Sequence, residues 1–162
     1  MLTNIITIRD ATAEDMPFLK AMNWEAILAS PNFVREMGLE KIRQHEDESW
    51  ANWTLNAEPA FIAVNAEGRR LGAISLKANE KENDKVIGWR FGIGLEADAR
   101  GQGIGRQLIE HTLQFGRANG ARYVSLYVDP ANLPAFTLYH KMGFIEIGET
   151  HGAIEMRINF AR

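Results

Sequence analysis

The chain opens on an alternation of apolar and other residues at 5–11 (IITIRDA), the period of a β-strand. The period then lengthens. TAEDMPFLKAMNWEAILA reads as a helix, with Thr12 at its N-cap, Glu14 and Asp15 suited to the positive end of its dipole, and Pro17 tolerable in the first turn. PNF interrupts it. LEKIRQHEDESWANWTL predicts a second helix with Leu39, Ile42, Trp50 and Trp53 on one side. AFIAVN and RLGAISLKA, separated by the turn-rich AEGR, predict a β-hairpin, and NEKENDK a polar tip. In VIGWRFGIGL, Trp89, Phe91, Ile93 and Leu95 share one face of a strand and Gly88, Gly92 and Gly94 the other. A strand with so many glycines suggests a bulge, or a close approach by another backbone or a ligand.

The clearest helix runs over 103–119. On a helical wheel Ile104, Phe115, Leu108, Thr112, Gly116, Ile109 and Leu113 fill one half, and Arg106, Arg117, Glu110, Gln114, Gln107 and His111 the other; Gly120 supplies the residue past its end. YVSLYV is a buried-type strand, Asn132 opens a short helix closed by Gly143, and FIEIGE and AIEMRINF are two last strands. The order β-α-α-β-β-β-α-β-α-β-β predicts an α/β protein of the α+β, mixed-sheet kind, with a right-handed parallel β-α-β unit in its middle. No linker or repeat divides the 162 residues, so a single domain over 1–162 is expected.

Composition removes some chemistries. There is no cysteine, which excludes disulfides, thiolate metal sites and a cysteine nucleophile. The net charge of −3 carries none of the basic excess of nucleic-acid binders. The four histidines lack metal-ligand spacing, so no metal is expected. No apolar run approaches the ~18 residues of a membrane span, and residues 1–10 lack a secretory pattern; a cytoplasmic protein away from membranes is the expectation.

EADARGQGIGRQLIE places three spaced glycines directly before the amphipathic helix. A loop of small residues leaves its N–H groups uncovered, and the following helix points its own free N–H groups the same way. The two together form an anion site for which a diphosphate is the natural occupant, with Arg100 and Arg106 adding charge. The spacing is not a dinucleotide fingerprint, since Arg106 stands where the third glycine would be, nor a Walker A loop, since no Gly-Lys-Ser/Thr follows. A glycine-rich turn without a ligand is the alternative.

Arg100, Gly103 and Gly105 fit the pattern Gln/Arg-x-x-Gly-x-Gly/Ala. With FGIGLEADA before it and the helix after it, RGQGIG resembles motif A of the GNAT superfamily of N-acetyltransferases. VDPANLPAFTLYHKMGF resembles the same family's motif B. The resemblance is strong from about residue 86 to residue 148 and weaker over the first 60. It implies a GNAT-like acyl-CoA N-acyltransferase fold, with acetyl-CoA as co-substrate in a cleft where the strands ending at Leu95 and Val128 splay apart. A bulge around Ile93, Gly94 and Leu95 would free backbone groups for the pantetheine arm. Gly101, Gln102, Gly103, Ile104, Gly105 and Arg106 would hold the pyrophosphate. Asn132 has two readings, helix N-cap or contact to the cofactor arm, and Phe136 and Lys141 are candidates near the adenosine end.

By the same resemblance Tyr139 is the candidate general acid, its phenol (reference pKa ~10) protonated at neutral pH; its alternative is packing. Many family members carry a glutamate on the strand matching 86–95. This chain has none there, so the general base stays unassigned among Glu25, Glu46, His151 and Glu155, or a water chain. His45, His111 and His140 read as surface residues. Without cysteine, direct transfer to a primary amine of a small molecule or peptide in a ternary complex is expected, with Arg90, Trp24, Trp50 and Trp53 shaping the acceptor pocket. The competing reading is a non-catalytic acyl-CoA-binding module of the same fold. The resemblance also implies a homodimer, for which the two C-terminal strands are the candidate surface.

Overall fold

The computed structural model describes residues 5–161; residues 1–4, part of the stretch read above for a leader, lie outside them. Seven strands form one sheet: β1 (Thr7–Asp10), β2 (Ala60–Val64), β3 (Arg70–Glu82), β4 (Lys85–Leu95), β5 (Tyr123–Val128), β6 (Ile145–Thr150) and β7 (Ala153–Asn159), in the order β1-β2-β3-β4-β5-β7-β6. Every neighbouring pair is antiparallel except β4 and β5. Among the described residues five α-helices accompany them: α1 (Met16–Leu28), α2 (Pro31–Met37), α3 (Leu39–Asn52), α4 (Ile104–Ala118) and α5 (Leu133–Lys141).

The alternation along β4 divides the core as expected. Trp89 and Phe91 are buried with Ile104, Leu108, Ile109 and Phe144 on the α4–α5 face, with Ile93 and Leu95 packed against that cluster. On the opposite face Leu19 and Met22 of α1 and Trp53 just beyond α3 bury Ile62 and Ala73. Trp53 is anchored there by its indole N–H, which donates to the Leu76 carbonyl at 2.9 Å.

Four details depart from the sequence pattern. Where PNF reads as an interruption, α2 forms: Pro31, whose missing N–H costs nothing in a first turn, starts it, and Gly38 at φ +82° ends it. Where NEKENDK reads as a polar tip between strands, β3 and β4 run on through most of it to a two-residue turn at Asn83 and Asp84, which take positive φ of 52° and 64°. The first helix begins as a 3-10 turn at Ala13–Asp15, and Asp15 is not a solvent-facing dipole partner but fully buried. Its carboxylate accepts from Arg9 Nη1 and Nη2 (2.7 and 3.0 Å), Arg70 Nε (2.7 Å) and the Thr12 N–H (2.7 Å), tying α1 to β1 and β3. Finally, the irregularities in the β3–β4 register fall at Ala78–Lys81, and residues 91–95 pair regularly with β3, so the expected bulge is not there.

Candidate functional site

Between β4 and β5 the register covers only Gly88↔Tyr123, Trp89↔Val124 and Arg90↔Ser125. Beyond it the strands part. Residues 91–95 keep β3 as partner on one edge, and 126–128 keep β7, leaving two facing backbone edges unpaired with each other. The free backbone groups expected around Ile93, Gly94 and Leu95 thus come from splaying rather than from a bulge. The glycines of this strand answer mainly to neighbouring protein. A Cβ at Gly94 would stand 2.8 Å from the Met22 carbonyl carbon of α1, and one at Gly92 2.7 Å from Asn23 Oδ1.

Past Leu95, the chain makes a 3-10 turn at Ala97–Ala99 and enters the glycine loop. Gly101 and Gly103 take φ of +75° and +80°, yet a Cβ on either would meet nothing within 4 Å. Their glycines serve conformation and leave the loop uncovered. Gly103 caps α4, whose first backbone hydrogen bond is Gln107 N–H to the Gly103 carbonyl. The N–H groups just ahead of it have no acceptor among the described residues. Ile104 is buried and anchors the turn, and a Cβ at Gly105 would stand at ordinary contact distance, 3.6 Å, from Leu95. Three loop side chains already have partners: Arg100 reaches the Leu95 carbonyl (3.3 Å), Gln102 the Asp98 carbonyl (2.9 Å), and Arg106 pairs with Glu110 (3.0 Å). An anion at this loop would therefore meet backbone N–H groups first.

A cavity of about 420 Å³ opens at the gap, walled by α1, α2, α3, the splayed strands and α5. Tyr139 lines it, packed edge-on against Phe91 (6.1 Å between centroids) and Phe144 (5.8 Å). Burial pushes its phenol well above the ordinary tyrosine pKa. Asn132 lines it too. It occupies the N-cap position of α5, but its side chain makes no capping bond and stays available. Phe136 packs on His140 (4.6 Å) and Lys141 is exposed; neither reaches the cavity.

Of the carboxylates named from the sequence, the fold brings only Glu46 to the cavity. Asn23 Nδ2 donates to it, and burial raises its pKa above the ordinary glutamate value, against the opposing pull of Lys77 and His45. Glu25 is exposed outside the cavity. His151, at φ +50° in the β6–β7 turn, is also exposed, and Glu155 lies along β7 away from it. Arg90, Trp50 and Trp53, expected to shape an acceptor pocket, line the cavity, whereas Trp24 lies under the Arg43 guanidinium (3.7 Å) and does not. Of the histidines read as surface residues, His45, at the cavity rim, and His140 are exposed, whereas His111 is half-buried edge-on to Phe61.

Two residues the sequence reading passed over hold this arrangement together. Asn23, on α1 next to Gly92 of β4, donates to Glu46. Asp129, buried at the end of β5, accepts from the Asn32 N–H (2.7 Å), Asn32 Nδ2 (2.9 Å) and the Phe33 N–H (3.3 Å), fastening α2 across the splayed end. Its visible signal is the Asp-Pro-Ala-Asn turn, in which it also accepts from the Ala131 N–H at 2.9 Å.

Known proteins share this plan. The mycothiol acetyltransferase of Saccharomonospora viridis is 32% identical over 113 residues, 67% of this chain and 36% of that protein. The chain spans between 29% and 44% of the length of the first such curated relatives. A GCN5-related N-acetyltransferase from Kribbella flavida superposes with a TM-score of 0.68 at 23% identity, covering 96% of this chain and 98% of that one. Spermidine N-acetyltransferase from Vibrio cholerae, in complex with CoA and spermine, superposes with a TM-score of 0.67 at 20% identity, covering 95% of each. A model of the Acetyltransferase (GNAT) family matches residues 23–144, and with the splayed strands and the glycine-started helix in place the chain belongs to that family.

Proposed function

We propose that this protein transfers an acetyl group from acetyl-CoA directly to a primary amine held in the same cavity. The observation that carries the reading is the parting of β4 from β5 beside an uncovered glycine loop at the start of α4. The gap presents unpaired backbone edges to an amide-bearing arm, Asn132 offers a free side-chain amide, and the loop N–H groups suit a pyrophosphate. Acetyl-CoA supplies the thioester whose C–S bond is exchanged for a C–N bond.

The attacking amine must be neutral. Glu46, beside Gly92 through Asn23, is the carboxylate placed to take its proton, and its raised pKa makes it a stronger base than an exposed glutamate. Tyr139 faces the leaving sulfur's side of the gap in this reading. Its phenol remains protonated at neutral and mildly alkaline pH and donates a hydrogen bond as negative charge collects on sulfur. The apolar surroundings that raise the phenol raise a thiolate's basicity as well, so the proton can follow. No acyl-enzyme is required.

Tyr139→Phe tests this against a non-catalytic acyl-CoA-binding module. Turnover, read as thiol release, is expected to fall about 10²-fold or more with little change in acetyl-CoA affinity. Undiminished turnover would remove Tyr139 from the chemistry, and well-folded wild-type protein that binds acetyl-CoA but releases no thiol with any amine would favour the module.

A further inference from the structure

Across the face of the sheet opposite α4, one row of register partners runs Lys77 (β3), Arg90 (β4), Ser125 (β5) and Arg157 (β7). Neighbouring strands lie about 4.8 Å apart, so three cations and a hydroxyl share one short line. Like charges set directly opposite repel unless something compensates them. Lys77 has compensation: its ammonium donates to Ser49 Oγ and lies near Glu46. The two arginines do not. Arg9, Arg69, Arg70, Arg106 and Arg122 are each paired with a carboxylate, but neither Arg90 nor Arg157 forms an ion pair among the described residues. Arg90 reaches only Asn79 Oδ1 (3.3 Å) and the Tyr127 ring (5.2 Å to its centroid). Arg157 lies over the Tyr123 ring at 3.6 Å. Glu155 shares this face along β7 without pairing to Arg157, and Glu80 is engaged by the Tyr123 hydroxyl at 2.9 Å.

The row also contains the two buried side-chain polar atoms without a hydrogen-bond partner among the described residues: Ser125 Oγ, on a residue 1% exposed, and Arg157 Nε. Buried donors without acceptors are rare because leaving them so costs free energy. Two such donors, beside an uncompensated guanidinium at the cavity wall, are what an oxyanion would satisfy.

We infer that Arg90, which lines the cavity, with Ser125 and Arg157 beside it in the row but behind the cavity wall, forms an anion subsite at the edge of the acceptor cavity, so that the amine acetylated carries a carboxylate, phosphonate or phosphate of its own. The inference rests on the acetyl-transfer reading and narrows its substrate. Arg90 and Gly92 are two residues apart on the same strand and face, about 7 Å along it. The amine placed beside Glu46 and Gly92, and the anion held at Arg90, are then joined by a short chain, as in an amino acid or aminoalkylphosphonate. Lys77 balances Glu46 at the amine end.

The experiment compares β-alanine with β-alaninamide, L-methionine with L-methioninamide, and 2-aminoethylphosphonate with ethylamine in thiol release from acetyl-CoA. In parallel, the arginine Nε–H NMR signals of CoA-saturated protein are followed during titration with 2-aminoethylphosphonate or ethylamine. The expected result is at least a tenfold preference in kcat/KM for the anionic member, mostly in KM. Arg90→Gln should erase that preference and Arg90→Lys partly restore it. The Arg90 and Arg157 signals, identified by their loss in Arg90→Gln and Arg157→Gln, should shift with the phosphonate alone. Carboxamides used as well as carboxylates, or neither arginine signal shifting, would overturn the subsite. Arginine shifts without thiol release from any amine would keep the subsite and sink the transfer reading. Preference for the carboxylate over the phosphonate, or the reverse, identifies the anion.

Discussion

Replacing Gly94 by alanine tests how β4 and α1 are locked together. The added Cβ would lie 2.8 Å from the Met22 carbonyl carbon and 3.0 Å from Met22 Cβ, with the carbonyl oxygen closer still. Carbon atoms prefer about 3.5–4.0 Å, so α1 must retreat by roughly 1 Å, and a helix backbone cannot do so as a side-chain tip can. Overpacking of this kind costs about 1–3 kcal/mol, and rigid backbone on the other side argues for about 3. At about 2–4 °C per kcal/mol in a chain of this size, the melting temperature should fall by roughly 6–12 °C. Gly105→Ala is the control. Its Cβ would meet Leu95 at an ordinary 3.6 Å, inside a helix where alanine is preferred, so stability should hold or rise by up to about 1 kcal/mol. Thermal unfolding followed by far-UV circular dichroism reads both. A Gly94→Ala melting point within about 2 °C of wild type would refute the claim that the glycine exists for the helix, as would an equal loss in Gly105→Ala.

The same approach predicts a different outcome two residues away, and a pH dependence elsewhere. A Cβ at Gly92 would meet Asn23 Oδ1, the end of a movable side chain that also holds Glu46. Gly92→Ala should therefore cost less than about 1 kcal/mol of stability while lowering kcat about tenfold or more; unchanged kcat with a lowered melting point would contradict it. Asp15→Ala should cost about 2 kcal/mol in urea unfolding at pH 7, a figure discounted because Arg9 and Arg70 are each more than a third exposed. The hydrogen bonds from Arg9 are the main cause holding the Asp15 pKa well below the ordinary carboxylate value. Its stabilisation is therefore complete above about pH 4 and lost as pH falls through the depressed folded value. The wild-type advantage over Asp15→Ala should stay level from pH 7 to about pH 4 and shrink below; shrinkage beginning above pH 5 would exclude Asp15 as its source.

What local pattern can reveal here is one-dimensional. The period of two along 89–95 and the helical period over 104–118 each report which side faces apolar neighbours. That was enough to place Trp89, Phe91, Ile104 and Leu108 in one core and to set α4 behind the glycine loop. The residues that complete the site depend on pairings across the fold. Asp129 meets Asn32 from 97 positions away, and Glu46, at the cavity on α3, is met there by Asn23 of another helix beside Gly92. On the helical wheel Glu46 and Glu25 looked alike; the packing of α3 over the gap separates them. The row from Lys77 to Arg157 was equally hidden, since its members lie on four strands whose alignment depends on sheet register. The missing bulge and the short α2 are smaller cases, where a glycine or proline marks a change of direction without saying which change.

The most direct test of the central claim is calorimetric titration of the wild-type protein and of Gly103→Glu with acetyl-CoA, with ATP and NAD as controls. The account predicts micromolar binding of acetyl-CoA, no comparable binding of ATP or NAD, and a weakening of at least tenfold in Gly103→Glu, which brings a negative charge and a disfavoured positive φ into the loop proposed to hold the pyrophosphate. Well-folded wild-type protein that binds no acetyl-CoA, or a Gly103→Glu variant that binds it as tightly as wild type, would contradict it.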